Sequence, residues 1–580
     1  VKRLHSYLPI FGWLSIYQRA WLRTDVMAGM AVWAMMVPQA LAYAGIANVP
    51  AIYGLYTVPL AMIVYAVFGT SRTLSVGPES AIAIISAVTV GAIVVGNPDE
   101  FLLMTGLLTF VVAILYLLFG FLKLGWMANF LSQPVLSGFT QGIALTVIVG
   151  QASKLFGTEG AVSSTIGEMR NLPQLLGLDI DYSGFLIVTW GVLKTLGEAN
   201  IATTVLGVAC LALLFVFKRL RPLAPSALIT VVLSVLAVTV LGLTDIGVKV
   251  MGEVETGMVS LSLPSLNMEA ITRLLPGAFA IVLLGYSVSL SVASIGARET
   301  GERIDPNQEL IGLGFSNLGS AVSSGFVVCG SLSRGVVIRS AGGRSQVVSL
   351  VNAGLVILTL LFLLPLFYKL PQAALAAIVI QAMTGLLDFK YLRRLFNIDR
   401  GEFAYAMIAL VGVLLLGILQ GVALGVLLAL IVLIRRVSYP NSTELGRVPG
   451  TDTFRDVDAN QQAETMPGLL IFRFDAPIIF CNVSYFASEI RRRIDDAHSP
   501  VSEVLLPAQQ INTLDSTGSA QLVAFSDELK ARGIRLSIAE VKMSLLNMMR
   551  RTDLEEKLGA DHFYDSIADG VSAFLRRQGS

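Results

Sequence analysis

From residue 24 to residue 436 the chain is a succession of apolar runs, most of them long enough to cross a hydrocarbon layer of about 30 Å as helices. Backbone in that medium must satisfy its own hydrogen bonds, which confines the region to a bundle of membrane helices. The runs lie near 24–46, 51–68, 79–96, 101–122, 131–151, 201–217, 225–243, 275–297, 309–326, 331–340, 347–368, 371–386, 402–419 and 421–435, about fourteen in all. The region therefore reads as α-helical and polytopic. Residues 1–23, with Trp13 and Trp21 and no apolar core ahead of a small-residue cleavage site, read as an interfacial, cytoplasmic lead-in rather than a removable signal. Residues 437–580 return to a soluble mixture of Asp, Glu, Arg and Lys and form a second domain.

Charge placement orients the bundle. With the N-terminus inside, the cytoplasmic loops hold Arg72, Lys123, Lys218-Arg219-Arg221, Arg298 and Arg303, Arg339 and Arg344, Lys390-Arg393-Arg394 and Arg435-Arg436. The opposite loops are neutral or acidic, with Asp99-Glu100, Glu159, Asp179 and Asp181, then Asp245, Glu253 and Glu255. This pattern predicts a multi-pass protein of the plasma (inner) membrane, lying in the lipid bilayer with both termini cytoplasmic. A net charge of +1 excludes nucleic acid as a general partner. Cys210, Cys329 and Cys481 have neither metal nor disulfide spacing, so no metal site and no cofactor are expected.

Two short breaks interrupt the apolar pattern: Thr73-Leu74-Ser75-Val76-Gly77-Pro78-Glu79-Ser80 and Cys329-Gly330-Ser331-Leu332-Ser333-Arg334-Gly335. Each places glycine, small hydroxyl residues and a charge at bilayer depth, where charge is costly unless it faces a wet cavity or a partner. The runs that follow them are read as half-helices preceded by extended segments. They lie seven spans apart, as do Gln133 to Gln141 and Gln372 to Gln381, and an odd spacing inverts the two copies. The architecture expected is a 7+7 inverted repeat, with the first copy at about 24–243 and the second at about 275–436.

Facing half-helix N-termini offer unsatisfied N–H groups and positive dipole ends, which together make an anion site. Arg334 is the only basic residue of the second break and adds positive potential there; the alternative is that it snorkels or pairs structurally with an acid. Ser75, Ser80, Ser331 and Ser333 could donate to a bound anion, although serines in membrane helices also serve helix contacts. Gln39 and Tyr43 are four residues apart on one helix face. Glu79 has two readings, a carboxylate that binds a proton along with the anion, or a permanent ion pair with Arg334. Glu309, with Asn307 and Gln308, reads as a capping cluster. The histidines His5, His498 and His562 lie outside the spans, which removes a histidine relay, and no glycine-rich phosphate loop ending in Lys-Ser/Thr implies ATP.

The terminal domain alternates strands at 469–474, 478–480, 501–506 and 534–538 with helices at 483–496, 516–531 and 543–550, a small α/β fold. Asp495, Asp496 and His498 form a polar run read as a solvated loop. No catalytic constellation is visible, so the chain is read as a non-enzyme.

The order and spacing of particular residues resemble one family. Val37-Pro38-Gln39-Ala40-Leu41-Ala42-Tyr43-Ala44, Gly54-Leu55-Tyr56, Gly69-Thr70-Ser71-Arg72 and Gly77-Pro78 resemble the opening of the sulfate permease, or solute carrier 26, anion transporters. Asn307 to Gly314, Ser331-Leu332-Ser333-Arg334 and Gly342-Gly343-Arg344-Ser345-Gln346 resemble its second half. The resemblance implies core and gate domains, alternating access of an elevator kind, a homodimer, and a small inorganic or carboxylic anion such as sulfate, bicarbonate or chloride as substrate. It also implies that Gln39, Tyr43 and Ser333 line the substrate pocket. The terminal domain resembles the family's sulfate transporter and anti-sigma-factor antagonist (STAS) domain, in which Asp515-Ser516-Thr517-Gly518 implies Ser516 as a phosphosite; a helix cap explains the same motif. Relatives often carry an acid in the eighth span, associated with cation coupling, whereas this chain reads Leu284-Gly285-Tyr286-Ser287-Val288-Ser289-Leu290-Ser291. That departure weakens sodium coupling and leaves anion exchange or proton coupling through Glu79. A channel of the same architecture and a nucleobase transporter of the same repeat are the rival readings.

Overall fold

The computed structural model describes residues 8–94, 96–130, 132–166, 184–221, 225–252, 261–460 and 462–578. His5, Asp179, Asp181, Glu253 and Glu255 lie outside them. The chain divides into two compact units, Val1–Ala429 and Leu430–Ser580.

The first unit is helical. It opens with α1 (Leu22–Ile46), α2 (Ala51–Tyr56), α3 (Val58–Phe68), strand β1 (Val76–Gly77), α4 (Ser80–Gly91), α5 (Pro98–Phe121), α6 (Gln133–Phe156), α7 (Gly184–Thr195), α8 (Ile201–Leu220) and α9 (Ser226–Leu241). Then come α10 (Met268–Thr300), α11 (Pro306–Val322), strand β2 (Cys329–Gly330), α12 (Leu332–Ser340), α13 (Val347–Leu358), α14 (Gln372–Thr384), α15 (Phe389–Ile398), α16 (Arg400–Leu416) and α17 (Ile418–Ser438). Local chemistry sets many of these boundaries. Asn97 and Asp305 cap α5 and α11 ahead of an N1 proline, which has no N–H to leave unpaired, and Gly157, Gly242 and Gly301 end helices at positive φ.

Among the described residues nine helical segments are long and apolar enough to cross a membrane. The remaining apolar runs form shorter helices, of which α4 with 12 residues and α12 with 9 are the half-helices expected after the two breaks. Helix α7 was not expected from the sequence: its 12 residues, interrupted by Thr189 and Gly191, are too few to register as a span.

Helix contacts fall into two groups. In one, α11 lies against α3 and α5, α10 against α4, α5 and α12, and α13 against α1 and α3. In the other, α6 lies against α7, α14 and α16, while α8 and α9 lie against α14 and each other. Helix α1 touches both, meeting α12 and α13 on one side and α9 and α14 on the other. Close approach within the second group depends on glycine. A Cβ added at Gly138 of α6 would stand 1.9 Å from the Ala406 carbonyl oxygen of α16. Gly138→Ala is therefore expected to separate the two helices and to cost about 1–3 kcal/mol, read as a lower thermal unfolding midpoint in detergent; an unchanged midpoint would contradict this account of the crossing.

The second unit is a six-stranded sheet of β3 (Ser442–Arg447), β4 (Phe454–Asp456), β5 (Leu469–Phe474), β6 (Glu503–Pro507), β7 (Arg535–Ala539) and β8 (Phe563–Tyr564) in the order β4-β3-β5-β6-β7-β8. Strands β5 to β8 run parallel, and β3 and β4 extend the sheet antiparallel. One face buries Phe472, Phe474, Phe486 and Phe525 as a cluster of edge-to-face and stacked rings. The strand expected at 478–480 is reduced to one bridge between Ile478 and Leu514. The Asn482 side chain accepts from Ile479 N (2.9 Å) and donates to the Pro477 carbonyl (2.9 Å), turning the chain into the following helix instead.

Candidate functional site

Strands β1 and β2 pair antiparallel, Val76 opposite Gly330 and Gly77 opposite Cys329, and Ser331 N donates to the Ser75 carbonyl at 3.2 Å. Glu79 (φ −140°, ψ 139°) and Ser331 (φ −119°, ψ 126°) end the extended segments, and a half-helix starts immediately after each. Because the strands are antiparallel, both half-helices leave the ladder in opposite directions with their N-termini pointing back at it.

Polar side chains from distant helices hold the two segments in place. Ahead of β1, the buried Glu309 carboxylate accepts from Tyr65 Oη (2.7 Å), Thr70 N (2.7 Å), Ser71 N (3.0 Å) and Thr70 Oγ1. Gln346 Nε2 donates to the Ser71 and Leu74 carbonyls at 2.7 and 3.0 Å. Ahead of β2, Asn317 accepts from Val328 N and donates to the Val328 carbonyl, both at 3.0 Å, while Ser320 Oγ donates to the Phe326 carbonyl at 2.6 Å. Ser289 Oγ, from α10, accepts from Gly330 N at 2.8 Å. The capping reading of Glu309 is corrected by these contacts. Asp305 caps α11, accepting from Asn307 N (2.9 Å) and Gln308 N (3.2 Å), and Asn307 Oδ1 accepts from Gly125 N (2.9 Å).

Arg334, in the first turn of α12, is fully buried. Its Nη1 donates to the Pro78 carbonyl at 2.9 Å and to Gln39 Oε1 at 3.5 Å, whereas Nε and Nη2 are buried with no partner. Snorkelling to an interface is thereby ruled out for this side chain. Glycine makes its seat: a Cβ at Gly77 would stand 2.9 Å from Met36 Cε and 3.4 Å from Arg334 Nη2. Gln39 and Tyr43 are buried one helical turn apart on α1, and Tyr43 lies within electrostatic reach of Glu79, Arg334 and Ser80.

Glu79 is half-buried and caps its own half-helix, Oε2 accepting from Ala81 N at 2.7 Å and Oε1 from Ser80 Oγ at 3.0 Å. No ion pair joins it to Arg334 among the described residues, so the permanent-pair reading is corrected: the amide at the helix start takes the carboxylate. Ser331 is buried with its Oγ 3.2 Å from that of Ser333, Ser333 is exposed, and Ser75 is buried with an unpartnered Oγ. In α10 Ser287, Ser289 and Ser291 each donate to a carbonyl four residues back. What assembles is a buried guanidinium with free donors, a helix N-terminus and small hydroxyls, a set that can replace the water shell of an anion.

In the second unit, Asp515 is a helix cap, accepting from Gly518 N (2.6 Å) and from Phe480 N (2.9 Å). A Cβ at Gly518 would stand 2.6 Å from the Ile478 carbonyl oxygen, so cap and close approach account for the Asp515-to-Gly518 motif, and Ser516 is exposed at the first helical position. Asp495 pairs with Arg532 (2.8 Å), Asp496 with Arg492 (3.7 Å), and His498 is exposed.

Comparison with known proteins gives the same outline. The sulfate permease family matches residues 22–409, and the STAS domain matches residues 460–570. A probable sulfate transporter of Mycobacterium tuberculosis (strain CDC 1551) is 33% identical over 561 residues, covering 97% of each chain. The chloroplastic sulfate transporter 4.1 of Arabidopsis thaliana is 29% identical over 592 residues, 99% of this chain and 84% of its own. Among solved structures, the murine solute carrier 26 family member A9 anion transporter, inward-facing, superimposes with a TM-score of 0.86 at 22% identity, covering 100% of this chain and 95% of that one. The transmembrane domain of a cyanobacterial bicarbonate transporter gives 0.59 at 22% identity over 72% and 98%. The fold expected from the sequence, a helical membrane region followed by an α/β STAS domain, is the fold of the murine protein.

Proposed function

Because this chain belongs to the sulfate permease family, we propose that it is a secondary transporter that carries a small anion by alternating access, the anion held between the N-termini of α4 and α12. The observation that carries this reading is Arg334, a fully buried guanidinium with two nitrogens unpartnered. A cation in that state is strongly unfavourable unless a counter-charge completes it. Sulfate is the first anion to test, since the bacterial and plant relatives carry that name; bicarbonate, chloride and small carboxylates follow. Gln39, Tyr43, Ser80, Ser331 and Ser333 surround the same ladder and supply polar contacts.

Glu79 gives the proposal its coupling step. Its carboxylate occupies an amide of the α4 N-terminus that an incoming anion would use, and its negative charge acts on Arg334 across the site. Protonation removes that charge and frees the amide, so proton and anion enter together. Exchange of one anion for another needs no such step and is the alternative. The helix groups of α10–α11–α13 and α6–α14–α16 are the candidate core and gate, and a homodimer is the proposed assembly. Ser516, exposed at a helix start, is proposed as the modification position because phosphate there is favoured by the helix N-terminus.

Uptake of a labelled anion panel into proteoliposomes, with and without a pH gradient, tests these steps. In the wild type an inside-alkaline gradient is expected to accelerate uptake, and in Glu79→Gln that acceleration is expected to vanish while anion counterflow persists. Equal stimulation of both proteins would remove Glu79 from coupling. Non-saturating flux with resolvable single-channel currents would replace the transporter by a channel.

A further inference from the structure

In the membrane unit, α15 segregates charge from apolar surface most sharply, and its ten residues are too few to span. Leu392 and Leu395 are buried in a cluster with Ala406 and Leu410 of α16. Phe389, Phe396 and Ile398 flank that contact and are 61%, 46% and 68% exposed. Lys390, Arg393 and Arg394 are exposed, and at about 100° per residue they fill an arc of about 100° centred opposite Leu392 and Leu395. Of the neighbouring acids, Asp388 and Asp399 serve as caps, Asp388 accepting from Tyr391 N (2.9 Å) and Asp399 from Gly401 N (2.7 Å) and Glu402 N (3.2 Å), while Glu402 lies within electrostatic reach of Tyr391.

The C-terminal end of α8 adds one more cation. Lys218 is exposed, and its Nζ lies 3.9 Å from where a Cβ on Gly385 would stand, in the turn leading to α15. Among the described residues no ion pair engages Lys218, Lys390, Arg393 or Arg394.

We propose that this face is a docking surface for anionic phospholipid headgroups. Phe389 and Phe396 enter the boundary of the acyl layer, and the four cations reach the phosphates above them. Apolar flank and basic arc side by side at the end of membrane helices match a bilayer interface, whereas a second copy presenting the same face would set four cations against four. Because α15 is seated on α16, the lipid contact anchors the helix group of α6, α14 and α16 and leaves the half-helix group free of it.

The test uses the full chain reconstituted in nanodiscs of phosphatidylcholine with and without phosphatidylglycerol, the retained lipid being counted by native mass spectrometry. Wild type is expected to retain phosphatidylglycerol selectively, also in excess inorganic phosphate. Lys390→Gln/Arg393→Gln/Arg394→Gln is expected to weaken that retention on the order of 100-fold, about fivefold per charge. Arg393→Lys/Arg394→Lys keeps the charge and is expected to keep the lipid. Undiminished retention in the glutamine variant, no selectivity in the wild type, loss of retention in the lysine variant, or displacement by inorganic phosphate would each overturn the proposal. So would a glutamine variant whose oligomer dissociates while its lipid count is unchanged.

Discussion

Arg334→Met is expected to weaken anion affinity by about 30-fold or more, the result of removing one partner from a desolvated charge pair worth about 2–5 kcal/mol. The same substitution is expected to leave the thermal unfolding midpoint of the ligand-free protein unchanged or higher. In that state the guanidinium has only Nη1 engaged, with Nε and Nη2 buried and unpartnered, so an apolar side chain of similar length relieves desolvation rather than breaking a satisfied network. Opposite signs for binding and stability separate a ligand site from a structural one. Arg334→Lys sharpens the test, because a lysine keeps the charge but has no planar fork to serve the Pro78 carbonyl and an anion together. It is expected to recover part of the affinity. Saturable uptake with unchanged KM in the methionine variant, or a large fall in its midpoint, would transfer Arg334 from the site to the scaffold.

Glu309→Ala is expected to destabilise the membrane unit by about 3–5 kcal/mol. The carboxylate is fully buried and takes hydrogen bonds from Tyr65, from both the amide and the hydroxyl of Thr70, and from the amide of Ser71. Alanine removes the acceptor of all four donors. Glu309→Gln keeps one carbonyl oxygen but turns an NH2 toward the donors, and an intermediate loss of about 1–3 kcal/mol is expected. Thermal unfolding in detergent reads both. Transport should also fall at temperatures where the variant is still folded, because the tethered residues lead directly into Val76 and Gly77 of the ladder. Wild-type stability in the alanine variant would show that the four hydrogen bonds do not hold the segment.

The two residues were legible to different degrees. Arg334 stood out in the sequence as a lone cation inside an apolar region, and its place at the start of a half-helix followed from the glycine and serine residues before it. Glu309 carried a misleading local signal: with Asn307 and Gln308 it looks like a capping cluster, whereas the cap is Asp305, just ahead of them. Nothing local distinguishes the acid that caps from the acid that reaches Thr70, 239 positions away. Glu79 shows the same limit in reverse. A structural pairing with Arg334 was a reasonable alternative from charge alone, but Ala81 N is adjacent by construction and the helix start claims the carboxylate.

Hydropathy, helix caps and the placement of single charges depend on residues within a turn or two of one another. For that reason the helical membrane region, the α/β domain after it, the places where helices break and the break that carries the cation can all be read along the chain. Hydrogen bonds are short and directional, and whether a buried group is satisfied is decided within tenths of an ångström by side chains from remote elements. It therefore takes the folded chain to bring Gln39 to Arg334 across 295 positions, to leave two of the guanidinium nitrogens open, and to set Val76 opposite Gly330 so that both half-helices aim at the same place.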